Sequence, residues 1–143
     1  MTVGIILVRK GREVVTIDLT ATLKEAAVLL AEKRIGAALI LGADHRIAGI
    51  LSERDVVRAL AEGGAAALDL PVSRTMTRKV ETCSEGEAVS SIMERMTVGK
   101  FRHMPVVDQG RLVGVISIGD VVKHRVHEME HESRAMRDYI QTA

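Results

Sequence analysis

The chain has 143 residues and a formal net charge of +1, with 47% hydrophobic and 27% charged residues. That near-neutral balance gives no electrostatic footprint for nucleic acid, and one Tyr, one Phe and no Trp leave no aromatic platform on which bases could stack. The same scarcity of aromatic residues means that the core must be aliphatic and methionine-based, and a single cysteine excludes an internal disulfide framework and a multi-cysteine metal site.

The amino-terminal run Ile5-Ile6-Leu7-Val8 is too short for a signal-peptide core and has no basic region before it. No stretch reaches membrane-spanning length, so a soluble, cytoplasmic protein with no membrane contact is expected. Val14-Val15-Thr16-Ile17 reads as a short strand. Thr22-Leu23-Lys24-Glu25 is an S/T-x-x-E capping box that opens a helix with Leu23, Ala26, Ala27 and Leu30 on one face. A second strand follows at Ala37–Leu41, then a turn at Gly42–Arg46 into a third strand ending Gly49-Ile50-Leu51. Ser52-Glu53-Arg54-Asp55 begins the next helix, which Gly63-Gly64 should end. The Ala- and Gly-rich stretch from Ala61 to Pro71 is the one composition shift and marks a boundary, and Val72–Thr77 leads onward as a short helix.

The series then starts again. Val80–Cys83 is β-rich, Ser84-Glu85-Gly86-Glu87 is a second capping box, and Val89, Ile92, Met93 and Met96 make the same helical stripe. His103–Val107 is a strand, Asp108–Arg111 a turn, and Gly114-Val115-Ile116-Ser117-Ile118-Gly119-Asp120-Val121-Val122-Lys123 repeats the stretch from Gly49 to Arg58 at an offset of 65 (114 − 49). Thr97–Lys100 reads as an insertion in the second copy, and the first hairpin is one residue longer. Each half is therefore β-α-β-β-α, giving a mixed α/β fold. Halves of about sixty residues are marginal alone and should share a core. Two similar halves in contact create two related crevices, which points to a binding device more than to a single active site. Cys83, in an apolar run, is expected to be a small core residue.

The last helix carries Val122, Val126, Met129, Ser133, Met136 and Ile140 at alternating four- and three-residue spacing, a heptad-like stripe interrupted by Ser133. Its polar face carries His127, Glu128 and His131 of the run His127-Glu128-Met129-Glu130-His131, which matches the H-E-x-x-H pattern of zinc proteases. Too little chain follows to build a substrate cleft or supply an obvious third ligand. A chance match on a solvated face is the better reading, with a zinc hydrolase as a remote alternative and adventitious zinc or nickel binding by His127 and His131.

The order of these pieces resembles a tandem pair of CBS domains, also called a Bateman module. The resemblance rests on Val14–Ile17, Arg46–Leu51 and Ser52–Asp55 in the first half, and on Met76-Thr77, Val80–Cys83, Arg102–Val106 and Arg111–Asp120 in the second. It implies two repeats, over 10–68 and 74–130, paired about a pseudo-twofold axis, with a carboxy-terminal helical extension over 124–143. It also implies a non-catalytic regulatory module that binds adenosine-containing ligands between the repeats: AMP foremost, with ADP, ATP, NAD(H) and S-adenosylmethionine as the other members of the class. No metal is required. A homodimer acting on another protein is the implied assembly, with the last helix at or near the interface.

Carried over by position, Asp55 and Asp120 would hold ribose, with Ser52 and Ser117 near ribose or phosphate. Thr16, Ile17 and Asp18, and Thr82, Cys83 and Ser84, would meet the adenine. Ala37 and Ala38, and Arg102, His103, Met104 and Pro105, would wall the clefts. Elementary chemistry is compatible with this: a carboxylate can accept from two vicinal hydroxyls, and a helix start favours an anion. Arg54, Arg58, Arg102, His103 and Lys123 add positive charge nearby. Ser-x-x-Asp is also close to a capping box, so both turns could simply start helices, and the two roles can coexist. The halves differ, with Arg54 in the first where the second has Gly119, and Ala38 where the second has Met104. Unequal clefts are expected, with a mild preference for nucleotides over a cationic sulfonium. His103 reads as a cleft-lining hydrogen-bonder and not a metal ligand. A ligand-free oligomerising scaffold is the alternative function.

Overall fold

The structure is a computed structural model that describes residues 1–142. Its elements are α1 (Val3–Lys10), β1 (Thr16–Asp18), α2 (Leu23–Lys33), β2 (Ala37–Leu41), β3 (Ile47–Ser52), α3 (Glu53–Gly63), 3-10 turns at Gly64–Asp69 and Val72–Arg74, α4 (Val89–Gly99), β4 (His103–Asp108), β5 (Arg111–Ser117) and α5 (Ile118–Thr142). The first half forms a sheet in the order β1-β2-β3, with β1 parallel and β3 antiparallel to β2. In the second half β4 and β5 pair antiparallel, and the expected strand at Val80–Cys83 shrinks to one bridge between Cys83 and Val106.

The cause is Pro105. In the first half Leu39 N donates to Val15 O at 3.3 Å. Ile17 pairs with Ile40 as Cys83 pairs with Val106, which makes Pro105 the counterpart of Leu39. Proline has no N–H, so that rung cannot form. Only Cys83 N to Pro105 O (3.0 Å) and Val107 N to Cys83 O (2.8 Å) remain.

The capping boxes also differ. Thr22 caps α2 by accepting from Glu25 N at 3.2 Å. The second box does not open its helix: Ser84 N donates to the Glu87 side chain at 2.6 Å in a turn ahead of α4, whose N-cap is Ala88. Both helices are 11 residues long and end in left-handed caps, Arg34 (φ 54) and Lys100 (φ 57). Helix to helix the offset is therefore 66 (89 − 23), and Thr97–Lys100 is no insertion. Matching the boxes at an offset of 62 (84 − 22) created an apparent surplus of four.

The amino-terminal run is a helix, and it belongs to the far half. Val3, Ile6 and Leu7 lie in one core with Cys83, Val89, Ile92, Met96, Met104, Val106, Ile116 and Val121. Conversely Ala67, Val72 and Met76, which lead into the second repeat, complete the first core with Ile17, Leu23, Leu30, Ile40 and Leu51. Each repeat's leading segment is thus exchanged onto the other, so neither 10–68 nor 74–130 contains its whole core. Two glycines make the exchange possible. A Cβ on Gly49 would lie 2.7 Å from Met76 Sδ and from Thr77 O, and one on Gly114 would lie 2.7 Å from Leu7 Cδ2. The bridges repeat the symmetry, Thr22 with Pro71 and Thr2 with Ala88.

Helix α5 packs through Val121 and His124, both buried. The apolar stripe faces elsewhere: Val122, Val126, Met129, Met136 and Ile140 are all exposed, between 47% and 66%.

Candidate functional site

Each third strand runs directly into a helix through the Ser-x-x-Asp turn. In the first turn Asp55 N donates to Ser52 Oγ (3.3 Å) and Ser52 N to Asp55 Oδ2 (2.9 Å). In the second, Asp120 N donates to Ser117 Oγ (3.1 Å) and Ser117 N to Asp120 Oδ2 (2.8 Å). Both aspartates therefore cap helices, and what distinguishes them is the bonding capacity left over.

Asp55 has little left. Its Oδ2 also accepts from Ser52 Oγ at 3.1 Å, its Oδ1 accepts from Thr77 Oγ1 at 3.3 Å and from Arg58 Nη1 at 3.4 Å, and the residue is 4% exposed. Asp120 keeps more. Lys10 Nζ donates to its Oδ2 at 2.6 Å, no hydrogen bond from the described residues reaches Oδ1, and the side chain is 22% exposed. Burial alone would raise the Asp120 carboxyl, but the hydrogen bonds from Lys10 and Ser117 and the Lys10 charge hold it below its ordinary value.

The Asp120 turn lies where the halves meet. A Cβ on Gly36, at the end of the loop after α2, would stand 3.7 Å from His103 Cε1 and 3.4 Å from Glu53 Oε1. Lys10, His103, Ser117 and Asp120 are thus joined by Gly36 and Glu53 of the first half. Burial, with the Lys10 and Arg102 charges, pushes the His103 imidazole down against the opposing pull of Asp120 and Glu53. That shift favours the neutral imidazole, which can both donate and accept.

The remaining candidates sort by burial. Ile17, Ala38, Cys83, Met104 and Pro105 are buried. Burial pushes the Cys83 thiol up to about 11, with Glu87 adding to it and Arg95 opposing. Ala37, Thr82, Ser52 and Ser117 are half-buried, while Thr16, Ser84, Arg54 and Arg102 are exposed. The Thr82 carbonyl accepts from Arg95 Nη2 at 3.0 Å. Asp18 is exposed and turned onto its own loop, accepting from Thr20 Oγ1 (2.6 Å) and Thr20 N (2.8 Å), and the Thr20 hydroxyl bond is the chief cause that lowers its carboxyl. The residues that sequence reasoning missed are Lys10, Thr77, Gly36 and Glu53. Lys10 gives no local signal, because its partner is 110 positions away.

Among the described residues no group of three or more His, Cys, Asp or Glu could hold a metal ion. Glu128, the base of the H-E-x-x-H reading, is taken up by Arg125 (3.2 Å) and lies 3.3 Å from His124 Nε2. Among the described residues no helix is long and apolar enough to cross a membrane.

The family model described as CBS domain matches residues 8–62 and 69–127. A CBS-domain protein from Agrobacterium tumefaciens is 48% identical, with a TM-score of 0.84 over 87% of this chain and 92% of that one. A CBS-domain protein from Pyrobaculum aerophilum, solved with AMP, is 33% identical, with a TM-score of 0.75 over 84% of this chain and 89% of that one. The CBS-domain pair of protein MJ0100, solved with 5′-methylthioadenosine and S-adenosylmethionine, is 26% identical, with a TM-score of 0.80 over 90% of this chain and 98% of that one. The chain spans 66% and 60% of the length of two curated relatives, at 32% identity to each.

Proposed function

The chain belongs to the CBS-domain family, and from that premise we propose that it is a non-catalytic regulatory module taking an adenosine-containing ligand in the Asp120 cleft. The observation that carries this is the unengaged Oδ1 of Asp120, near His103 and at the junction of the two halves. A carboxylate with a free oxygen can accept from a ribose hydroxyl, and the bond is of the charge-assisted kind. AMP is the first ligand to test, with ADP, ATP, NAD(H) and S-adenosylmethionine as the rest of the class. A ligand touching both halves favours one angle between them, and a partner protein in the cytoplasm would read that angle. The exposed α5 stripe supports a homodimer as the assembly that transmits it.

The test is a thermal-melt series with millimolar AMP, ADP, ATP, NAD, NADH and S-adenosylmethionine on wild type, Asp55→Asn and Asp120→Asn. A ligand at a hundred times its dissociation constant stabilises by about 2.7 kcal/mol, worth several degrees at this chain length. The expected result is a shift kept in Asp55→Asn and lost in Asp120→Asn. No shift with any adenine compound, on protein freed of nucleotide, would leave both turns as caps and make the oligomerising scaffold the better reading.

A further inference from the structure

The duplication allows the two clefts to be compared atom by atom, because Ile50 and Val115 are counterparts at the offset of 65 (115 − 50) that relates the two turns. In the first half, Thr77 N donates to Ile50 O at 2.9 Å and Thr77 Oγ1 to Asp55 Oδ1 at 3.3 Å. In the second, Lys10 Nζ donates to Val115 O at 2.9 Å and to Asp120 Oδ2 at 2.6 Å. Each exchanged segment therefore delivers one residue to the corresponding third-strand carbonyl and turn aspartate, Thr77 at the carboxylate oxygen outside the cap and Lys10 at the oxygen within it. At one cleft that residue is a short neutral hydroxyl. At the other it is an ammonium on a four-carbon stem.

The difference sets what each cleft can accept. A bare Asp120 carboxylate would repel a phosphate placed on the same ligand. Lys10 cancels that charge and brings a third N–H, beyond the two already used, with a side chain 35% exposed and free to adjust. His103, pushed toward its neutral form chiefly by burial, is a weak source of counter-charge; Arg102 lies nearby, and Glu53 is the further carboxylate among the charges that act on His103. The first cleft has Thr77 in the equivalent place and a carboxylate already filled on both oxygens.

Resting on the proposal that the Asp120 cleft takes an adenosine compound, we infer that Lys10 is its charge-selecting residue, favouring ligands with a 5′-phosphate over uncharged or cationic adenosine derivatives. Selectivity for the anion then resides in a helix outside both repeated turns. It also ties ligand charge to α1, whose Val3, Ile6 and Leu7 sit in the second core.

The experiment is titration calorimetry of nucleotide-free protein with AMP and with 5′-methylthioadenosine, which shares the adenosine and lacks the charge. Wild type, Lys10→Met, Lys10→Arg and Asp120→Asn are compared, each first shown by circular dichroism to be folded. The expected result is a preference of wild type for AMP that falls at least about tenfold in Lys10→Met, with 5′-methylthioadenosine affinity held or improved, as one charge-assisted hydrogen bond warrants. Lys10→Arg should restore most of the preference, and added salt should reduce it in wild type. An AMP to 5′-methylthioadenosine ratio unchanged in Lys10→Met overturns the role of Lys10 while leaving the adenosine cleft standing. Failure of wild type to bind either compound overturns the adenosine reading itself, and the Lys10 inference with it.

Discussion

Replacing Asp55 by alanine separates capping from ligand contact, because the two turn aspartates are spent differently. At Asp55 the change removes the acceptor for Ser52 N at 2.9 Å, Ser52 Oγ at 3.1 Å and Thr77 Oγ1 at 3.3 Å, at a residue 4% exposed. Loss of the capping interaction costs about 1 kcal/mol. Donors left unsatisfied in a part-buried place add about 1–3 kcal/mol, whereas the contact to Arg58, whose side chain is 62% exposed, adds little. The sum is about 3 kcal/mol, or about 10 °C in Tm at this chain length. Asp120→Ala removes one matching cap and a pair with a lysine that is 35% exposed, so about 1.5 kcal/mol and about 5 °C are expected. Urea denaturation followed by circular dichroism measures both, and a melt in saturating AMP gives the ligand response of each against its own baseline. The expected pattern is a large stability loss with the AMP shift retained for Asp55→Ala, and a small loss with the shift abolished for Asp120→Ala. A Tm for Asp55→Ala within about 2 °C of wild type, equivalent to about 0.6 kcal/mol and below any cap-plus-desolvation sum, would refute the burial argument. A reversed ligand pattern would refute the choice of cleft.

Gly49→Ala puts a Cβ 2.7 Å from Met76 Sδ and Thr77 O, so about 1–3 kcal/mol of destabilisation is expected from the urea midpoint; Gly63→Ala, whose Cβ would meet only Ala67 Cβ at 3.5 Å, should be neutral or stabilising. His103 has a folded pKa below its ordinary 6.5, chiefly from burial and the Lys10 charge, so the unfolded chain binds the proton first. Its stability contribution is full above 6.5 and declines as the pH falls from there through the folded value; His103→Gln should flatten that slope in urea midpoints taken between about pH 5 and 7.5, and an unchanged slope would show that His103 does not produce it. Glutamate at Met129 and Met136, both on the exposed α5 stripe, should turn a dimer into a monomer in light scattering behind gel filtration while leaving the melt of each protomer nearly unchanged.

What could be read from the chain was what neighbours in sequence decide. The Ser-x-x-Asp turns, the Thr22 cap and the stripes through Leu23–Leu30 and Val89–Met96 depend on residues three or four apart, and all appear as expected. The Ser84–Glu87 box misled because its local chemistry is satisfied in a turn, while the α4 start is held by Met1 O accepting from Val89 N at 3.1 Å. Likewise Val80–Cys83 has strand-like residues, but whether it pairs is decided by Pro105 on the neighbouring chain segment. The sharpest loss was α1. Ile5–Val8 invites a question about export because its partners lie beyond residue 80, and nothing local says that a helix is needed to close the second core. The exchange that hid α1 is also what makes the clefts unequal. In a tandem repeat the segment that leads into the first copy is distinct from the linker that leads into the second, so the two can differ. Here the linker supplies Thr77 to Asp55, whereas the segment ahead of the first copy supplies Lys10 and leaves Asp120 with an open oxygen. A duplication that would otherwise give two equivalent turns thus gives one whose carboxylate is engaged on both oxygens and one that keeps an oxygen unengaged among the described residues.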